Sequence, residues 1–225
     1  MEIIRVDHPF YGMVSGFAAD EIIFAHIQKG LIWEPNIVEA IETHIRPGST
    51  CLDVGANIGL HTIAMRIVES TATVISFEPN PYIYPVLHEN LILDSMVTLK
   101  QIGLGKRKAD LFARSIKGSN NPGGASLFDY QMDFSSSEPD LKVDVLPLDS
   151  LNIDDISVIK VDVEGMEMDV ILGGKKTIKK QRPALIIEIW DLDNPKLRLK
   201  KIRRIERFGY KFKMLSPVDF LFTPK

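Results

Sequence analysis

A chain of 225 residues that is 45% hydrophobic and 25% charged is long enough to bury a sizeable core and sits at the averages of soluble globular proteins, which argues against disorder. Its formal net charge of −3 and pI near 6.0 give no whole-chain electrostatic footprint for nucleic acid or an anionic membrane. The single cysteine, Cys51, excludes an internal disulfide and lies in an apolar run, where it reads as a small buried hydrophobe in a reducing compartment.

The opening "MEIIRVDHPFYGMVSG" lacks a basic stretch followed by an apolar one. No uninterrupted run of about 18 apolar residues occurs anywhere. The expectation is a soluble, intracellular, cytoplasmic protein with no membrane span, organised as one domain over residues 1–225 with a helical N-terminal segment over 1–47. Within that segment, "AADEIIFAHIQKG" and "EPNIVEAIETHIRPG" carry apolar residues at helical spacing and end at glycine, so each predicts a helix.

"STCLDVGA" then reads as a short buried strand and "LHTIAMRIVES" as the helix after it. "ATVISFEPNP", the helix-like "YIYPVLHENLIL" and "VTLKQIGLG" repeat the alternation, which is the signature of a parallel sheet covered by helices with right-handed crossovers. Residues 105–157 break the rhythm with short alternating segments between loop-rich stretches, and predict a β-rich insertion at the sheet edge or over the site. The parallel pattern resumes with "SVIKVDVEG", a helix through "MEMDVILGGKKTIKKQ", and "PALIIEIWD". A helix from about residue 194 to 208 follows. Two strands joined tightly around Pro217 must then be antiparallel, because the connection is too short for a crossover.

"CLDVGANIGLHTIA" places glycines and an acid where a strand turns into a helix around a ligand. A P-loop needs Lys-Ser or Lys-Thr after its last glycine, and Leu60-His61 stands there instead. A dinucleotide fingerprint is disfavoured because Asn57 occupies a glycine position and no glycine follows in the helix. What remains is Asp53 before Gly55, Gly59 opening the helix, and Glu78 at the end of the next strand. S-adenosylmethionine (SAM) suits this set: an acid for its ammonium, glycines for close backbone approach, and a carboxylate to accept both ribose hydroxyls.

Together "DVGANIG" and "IKVDVEG", with "SFEPNP", "LKQIGLG", "GGASL", "VDVLPLDSL" and "PALIIEIW" in order, resemble the FkbM-type family of SAM-dependent methyltransferases over residues 33–190. The resemblance implies an α/β, Rossmann-like class I methyltransferase fold. Its mostly parallel central sheet would have helices on both faces, and the activity would be O-methylation, with sugars and glycans prominent among acceptors. Two departures stand out: Leu60 replaces a frequent aromatic, and little chain follows the sheet to make a separate acceptor domain. The cofactor positions carried over are Gly55, Ala56, Asn57, Gly59 and Thr62 around the turn, Asp53 before it, and Glu78, Pro79 and Asn80 after the next strand. Gly103 and Leu104 would border the adenine. Glu34 resembles a position near the cofactor, with a helix-start acid as its alternative.

Methyl transfer to a hydroxyl requires alignment and removal of a proton. Asp162 and Glu164 end one strand and Glu188 another. Either Asp162 or Glu164 is a general base, or Asp162 and Glu188 hold magnesium or manganese against the acceptor. His61, in the first turn of the helix, is a further candidate base. Trp33, Trp190 and Phe10-Tyr11 are candidate platforms for a sugar ring.

"NPKLRLKKIRRIERFGY" reads as an amphipathic helix with a solvated basic face, or as a patch for an acidic acceptor. Two rivals to a sugar O-methyltransferase follow: an RNA or other nucleic-acid methyltransferase, against which the net charge counts, and a non-catalytic SAM-binding module. The paired retention of Asp53 and Glu78 with Asp162, Glu164 and Glu188 argues against the second.

Overall fold

The computed structural model describes residues 1–113, 127–128 and 141–225. The chain opens on an antiparallel hairpin, β1 (Ile3–His8) and β2 (Gly12–Phe17), and only then enters α1 (Ile23–Gln28) and α2 (Pro35–His44). This corrects the wholly helical reading of residues 1–47. The signal was the alternation of half-buried Ile4 and Val6 with exposed neighbours, a period of two. The hairpin is fastened to the body by Asn90, whose Oδ1 accepts from the Ser15 amide at 2.8 Å and whose Nδ2 donates to the Ser15 and Ile58 carbonyls at 3.0 and 2.8 Å.

Strands β3 (Thr50–Val54), β4 (Thr73–Phe77) and β5 (Val97–Lys100) alternate with helices α3 (Leu60–Val68) and α4 (Tyr84–Leu91). A second, four-stranded sheet contains β6 (Gly103–Leu104), β7 (Ala109–Ala113), β8 (Leu127–Phe128) and β9 (Leu141–Leu146), in the order β6-β9-β7-β8. The β-rich insertion expected over 105–157 is therefore a sheet that starts two residues earlier, since "VTLKQIGLG" splits into β5 and β6 in different sheets. Gly103 and Leu104 do not end the third core strand. The "GGASL" segment before Leu127, with the loops "KGSNNPGG" and "SSSEPD", lies outside the described residues.

The chain returns through β10 (Ile156–Val161), which begins inside the boundary drawn for the insertion, then α5 (Glu167–Gly173), α6 (Lys175–Gln181), β11 (Ala184–Glu188), α7 (Pro195–Glu206), β12 (Tyr210–Met214) and β13 (Asp219–Pro224). One helix was expected where α5 and α6 stand. The break has two causes. A Cβ on Gly173 would lie 1.9 Å from the Gly105 carbonyl oxygen, so the backbones touch there. Asp149 then caps the new start, its carboxylate accepting from the Lys176 and Thr177 amides at 3.0 and 2.8 Å.

The central sheet runs β12-β13-β11-β10-β3-β4-β5. β10 pairs in parallel with β3 and β11, and β4 with β3 and β5, while β13 is antiparallel to both β11 and β12. Only β13 is reversed. The continuous apolar runs follow from burial on both faces. Leu52, Ile159, Leu185 and Phe222 pack with α5, α6 and α7, whereas their neighbours Cys51, Val158, Ile186 and Leu221 pack with α2 and α3. Among the described residues, no helix is long and apolar enough to cross a membrane.

Candidate functional site

A cleft of about 440 Å³ opens at the carboxyl ends of β3, β4, β10 and β11, where parallel sheets of this kind receive ligands. Its first wall is the β3–α3 turn. Gly55 has φ +80°, and a Cβ there would stand 1.7 Å from the Asp162 carbonyl oxygen, so only glycine permits the turn to lie against the end of β10. Ala56 and Asn57 continue this wall.

Glu78 joins the turn to the next loop. Its Oε2 accepts from the Asn57 amide at 2.9 Å and its Oε1 from the Asn80 amide at 2.8 Å, leaving each oxygen a further lone pair toward the cleft. Burial pushes the Glu78 carboxyl up to about 7, against the two amides that favour its ionised form. Pro79, Gly103 and Leu104 line the cleft beside it.

Four residues assigned to cofactor contact do not line the cleft: Asp53, Gly59, Thr62 and Asn80. The Thr62 hydroxyl donates to Asp53 Oδ2 at 2.7 Å and lies 2.7 Å from the Ser76 hydroxyl. Asp53 is fully buried and faces Lys160 Nζ at 3.7 Å. Gly59, at φ +95°, starts α3. Asn80 accepts from the Tyr82 amide at 3.0 Å and shapes the loop.

Lys160 was missed. It is buried in β10, donates to Asp162 Oδ2 at 3.2 Å and the Gly55 carbonyl at 3.3 Å, and so ties β3 to the end of its own strand. Burial pushes its pKa down, but Asp162, Asp53 and Glu34 together outweigh this and hold it charged. The available signal was a lysine inside the apolar "SVIKVDV", where a cation requires partners. Burial also raises Asp162. Lys160 and a hydrogen bond with Glu188 overcome that and hold Asp162 below the usual carboxylate range. Burial first, then the charge of Asp162, pushes Glu188 up to about 9, so at neutral pH this pair shares one proton.

Glu34 and His61 meet on the same wall, with Oε2 and Nε2 3.3 Å apart. Burial raises Glu34 to about 7 and lowers His61 to about 3, which leaves the imidazole neutral. Glu164 is exposed at the rim, and burial followed by the Asp162 charge raises its carboxyl. Glu34, Asn57 and Glu164 are all left-handed, with φ of 45°, 51° and 48°, and all line the cleft. Such backbone costs about 1–3 kcal/mol each and collects at ligand sites.

Trp33 and Trp190 line the cleft, Trp190 being 54% exposed at its rim. Phe10 and Tyr11 do not. They pack in the N-terminal core, where the Tyr11 hydroxyl accepts from the Trp33 amide at 3.2 Å. Asp219 was also missed, since only the β11–β13 register brings it opposite Glu188.

The family model described as the methyltransferase FkbM domain matches residues 53–212. Methyltransferase 1 of Beauveria bassiana is 28% identical over 144 residues, covering 56% of this chain and 58% of that protein. Methyltransferase sdnD of Sordaria araneosa is 27% identical over 176 residues, covering 62% of this chain and 66% of its own length. The chain thus spans less than two thirds of either of these two relatives. Hexuronic acid methyltransferase AglP of Haloferax volcanii is 27% identical over 194 residues, 84% of this chain and 77% of that protein. Among solved structures, methyltransferase FkbM from Methylobacillus flagellatus KT superposes with a TM-score of 0.55 at 18% identity, over 82% of this chain and 50% of that one. At that identity the likeness is one of fold, the Rossmann-like class I methyltransferase fold. Because the family model matches well over half of its length, the chain belongs to the family of FkbM-domain methyltransferases.

Proposed function

We propose that this protein is a SAM-dependent O-methyltransferase acting on a hydroxyl of a sugar or glycan. The observation that carries this reading is one cleft holding both a glycine turn clamped by Glu78 and a group of carboxylates at the ends of β10 and β11. The residues present fit the cofactor. Gly55 lets the turn lie against the end of β10 and line the cleft, and Glu78 has lone pairs for two ribose hydroxyls. Gly103 and Leu104 would border the adenine. Glu34 lines the same cleft from the start of α2.

Bound SAM would supply an electrophilic methyl carbon to an acceptor oxygen. The chain's own residues must orient the acceptor and receive its proton. Asp162 is the proton acceptor in this reading, because Lys160 keeps it ionised beside the cleft. His61 does not fill that role, because its Nε2 is directed at Glu34 Oε2 from 3.3 Å. Trp33 and Trp190 offer aromatic faces to a sugar ring.

Support for the acceptor class comes from the relation to AglP, a protein described as acting on hexuronic acid. The rival is a nucleic-acid acceptor, favoured by the exposed Lys196, Lys200, Arg203 and Arg204 of α7 and Arg207 just after it. The two other basic residues of that helix are occupied, Lys201 with Asp191 and Glu167 and Arg198 with the Pro217 carbonyl. The deciding experiment incubates the protein with SAM and, separately, uronic-acid glycosides, neutral glycosides and RNA. The expected outcome is a sugar product heavier by one CH2. Methylated RNA alone would replace the acceptor, and SAM binding without any product across a broad panel would favour a non-catalytic module.

A further inference from the structure

Glu188 and Asp219 stand directly opposite each other on the antiparallel β11–β13 pair, which brings two carboxyl groups to one point. Glu34 reaches the same point from the start of α2, and one oxygen from each of the three carboxylates lies within 4.8 Å of the others. Lys160, the buried cation among the described residues, directs its contacts to Asp53, Asp162 and the Gly55 carbonyl. A second observation marks the spot. The His61 side chain is only 6% exposed, and its Nε2 points at Glu34 Oε2 from 3.3 Å. Neither atom has a hydrogen-bond partner among the described residues. The imidazole nitrogen is thus buried, without a hydrogen bond and aimed at the acidic cluster, an arrangement that would be costly with nothing further to bind.

We infer that Glu34, Glu188 and Asp219, with His61 beside Glu34, form a binding site for one divalent cation of the magnesium and manganese class. Carboxylate oxygens suit both ions. Glu188 belongs to this set as the sequence implied, but Asp162 does not, because Lys160 already holds it. Three protein ligands would leave coordination positions open, and two of them, Glu34 and Glu188, line the cleft. The open positions would take two neighbouring oxygens of the acceptor, as a vicinal diol or an α-hydroxy acid offers them. The cation would fix the acceptor's orientation and acidify the bound hydroxyl, whose proton would pass to Asp162. The acceptor part of this inference rests on the methyltransferase reading, and the cation site itself does not.

The test is a manganese titration of the full chain followed by electron paramagnetic resonance, with and without S-adenosylhomocysteine (SAH), the demethylated product. The expected result is one bound Mn2+ per chain at submillimolar affinity. Asp219→Asn and Glu188→Gln should each weaken it at least about tenfold, a loss of one charged ligand. Both variants should bind SAH as the wild type does. Absence of Mn2+ binding in the wild type, or undiminished binding in both variants, would overturn the site. SAH binding without Mn2+ binding would remove the cation and leave the methyltransferase reading intact, whereas failure to bind SAH would remove that reading by itself.

Discussion

Asp162→Asn is expected to lower methyl transfer by roughly a thousandfold, the middle of the range for losing a positioned proton acceptor, while SAH affinity stays essentially unchanged. The substitution keeps the shape of the side chain at the end of β10. It removes the negative charge that Lys160 holds at 3.2 Å and with it the group able to take the hydroxyl proton. The fold should tolerate it, because Lys160 retains Asp53 at 3.7 Å and the Gly55 carbonyl. Initial rates with labelled SAM at saturating acceptor, alongside SAH binding, separate the chemical step from cofactor affinity. Wild-type turnover in this variant would take the proton-accepting role away from Asp162.

Lys160→Met is expected to produce the largest loss of stability. Removing the cation leaves Asp53, fully buried, and Asp162 without their shared counter-charge. Breaking a buried pair from one side costs about 3–5 kcal/mol, which for a chain of this size is a fall in melting temperature of roughly 10 °C. The double variant Lys160→Met with Asp53→Asn should regain a large part of that loss, because the buried charge is removed with its partner. Thermal unfolding of the wild type and the two variants reads the effect. A Lys160→Met protein as stable as the wild type would mean that the ion pairs linking β3 and β10 contribute nothing.

Residues whose role is local were legible in the chain. The turn from Asp53 to Gly59 had to be a strand-to-helix junction, because glycine there serves backbone geometry that no other residue permits, and Glu78 followed from its place at the next strand end. The reversal of β13 followed from the shortness of the connection around Pro217. Residues whose role is relational were not legible. Asp219 lies in an unremarkable "PVDF", and only the pairing Glu188–Asp219 gives it meaning. Thr62 and Asp53 sit in a motif that names cofactor residues, yet their side chains turn toward Ser76 and Lys160. The split of β5 from β6 was hidden because both pieces are short, and period alone cannot tell which sheet a strand joins.

The most direct test of the central claim, that this cleft receives SAM through Glu78, is calorimetric titration with SAH at pH 6 and pH 8, for the wild type and for Glu78→Gln. Only the ionised carboxylate accepts both ribose hydroxyls, and its pKa in the free protein is about 7. Affinity should therefore be micromolar at pH 8 and about tenfold weaker at pH 6, one unit below that pKa. Glu78→Gln should bind about a hundredfold more weakly at pH 8, the loss of charge-assisted hydrogen bonds, and should show a smaller pH dependence. SAH binding that is absent at both pH values, or that is indifferent to Glu78, would contradict the account.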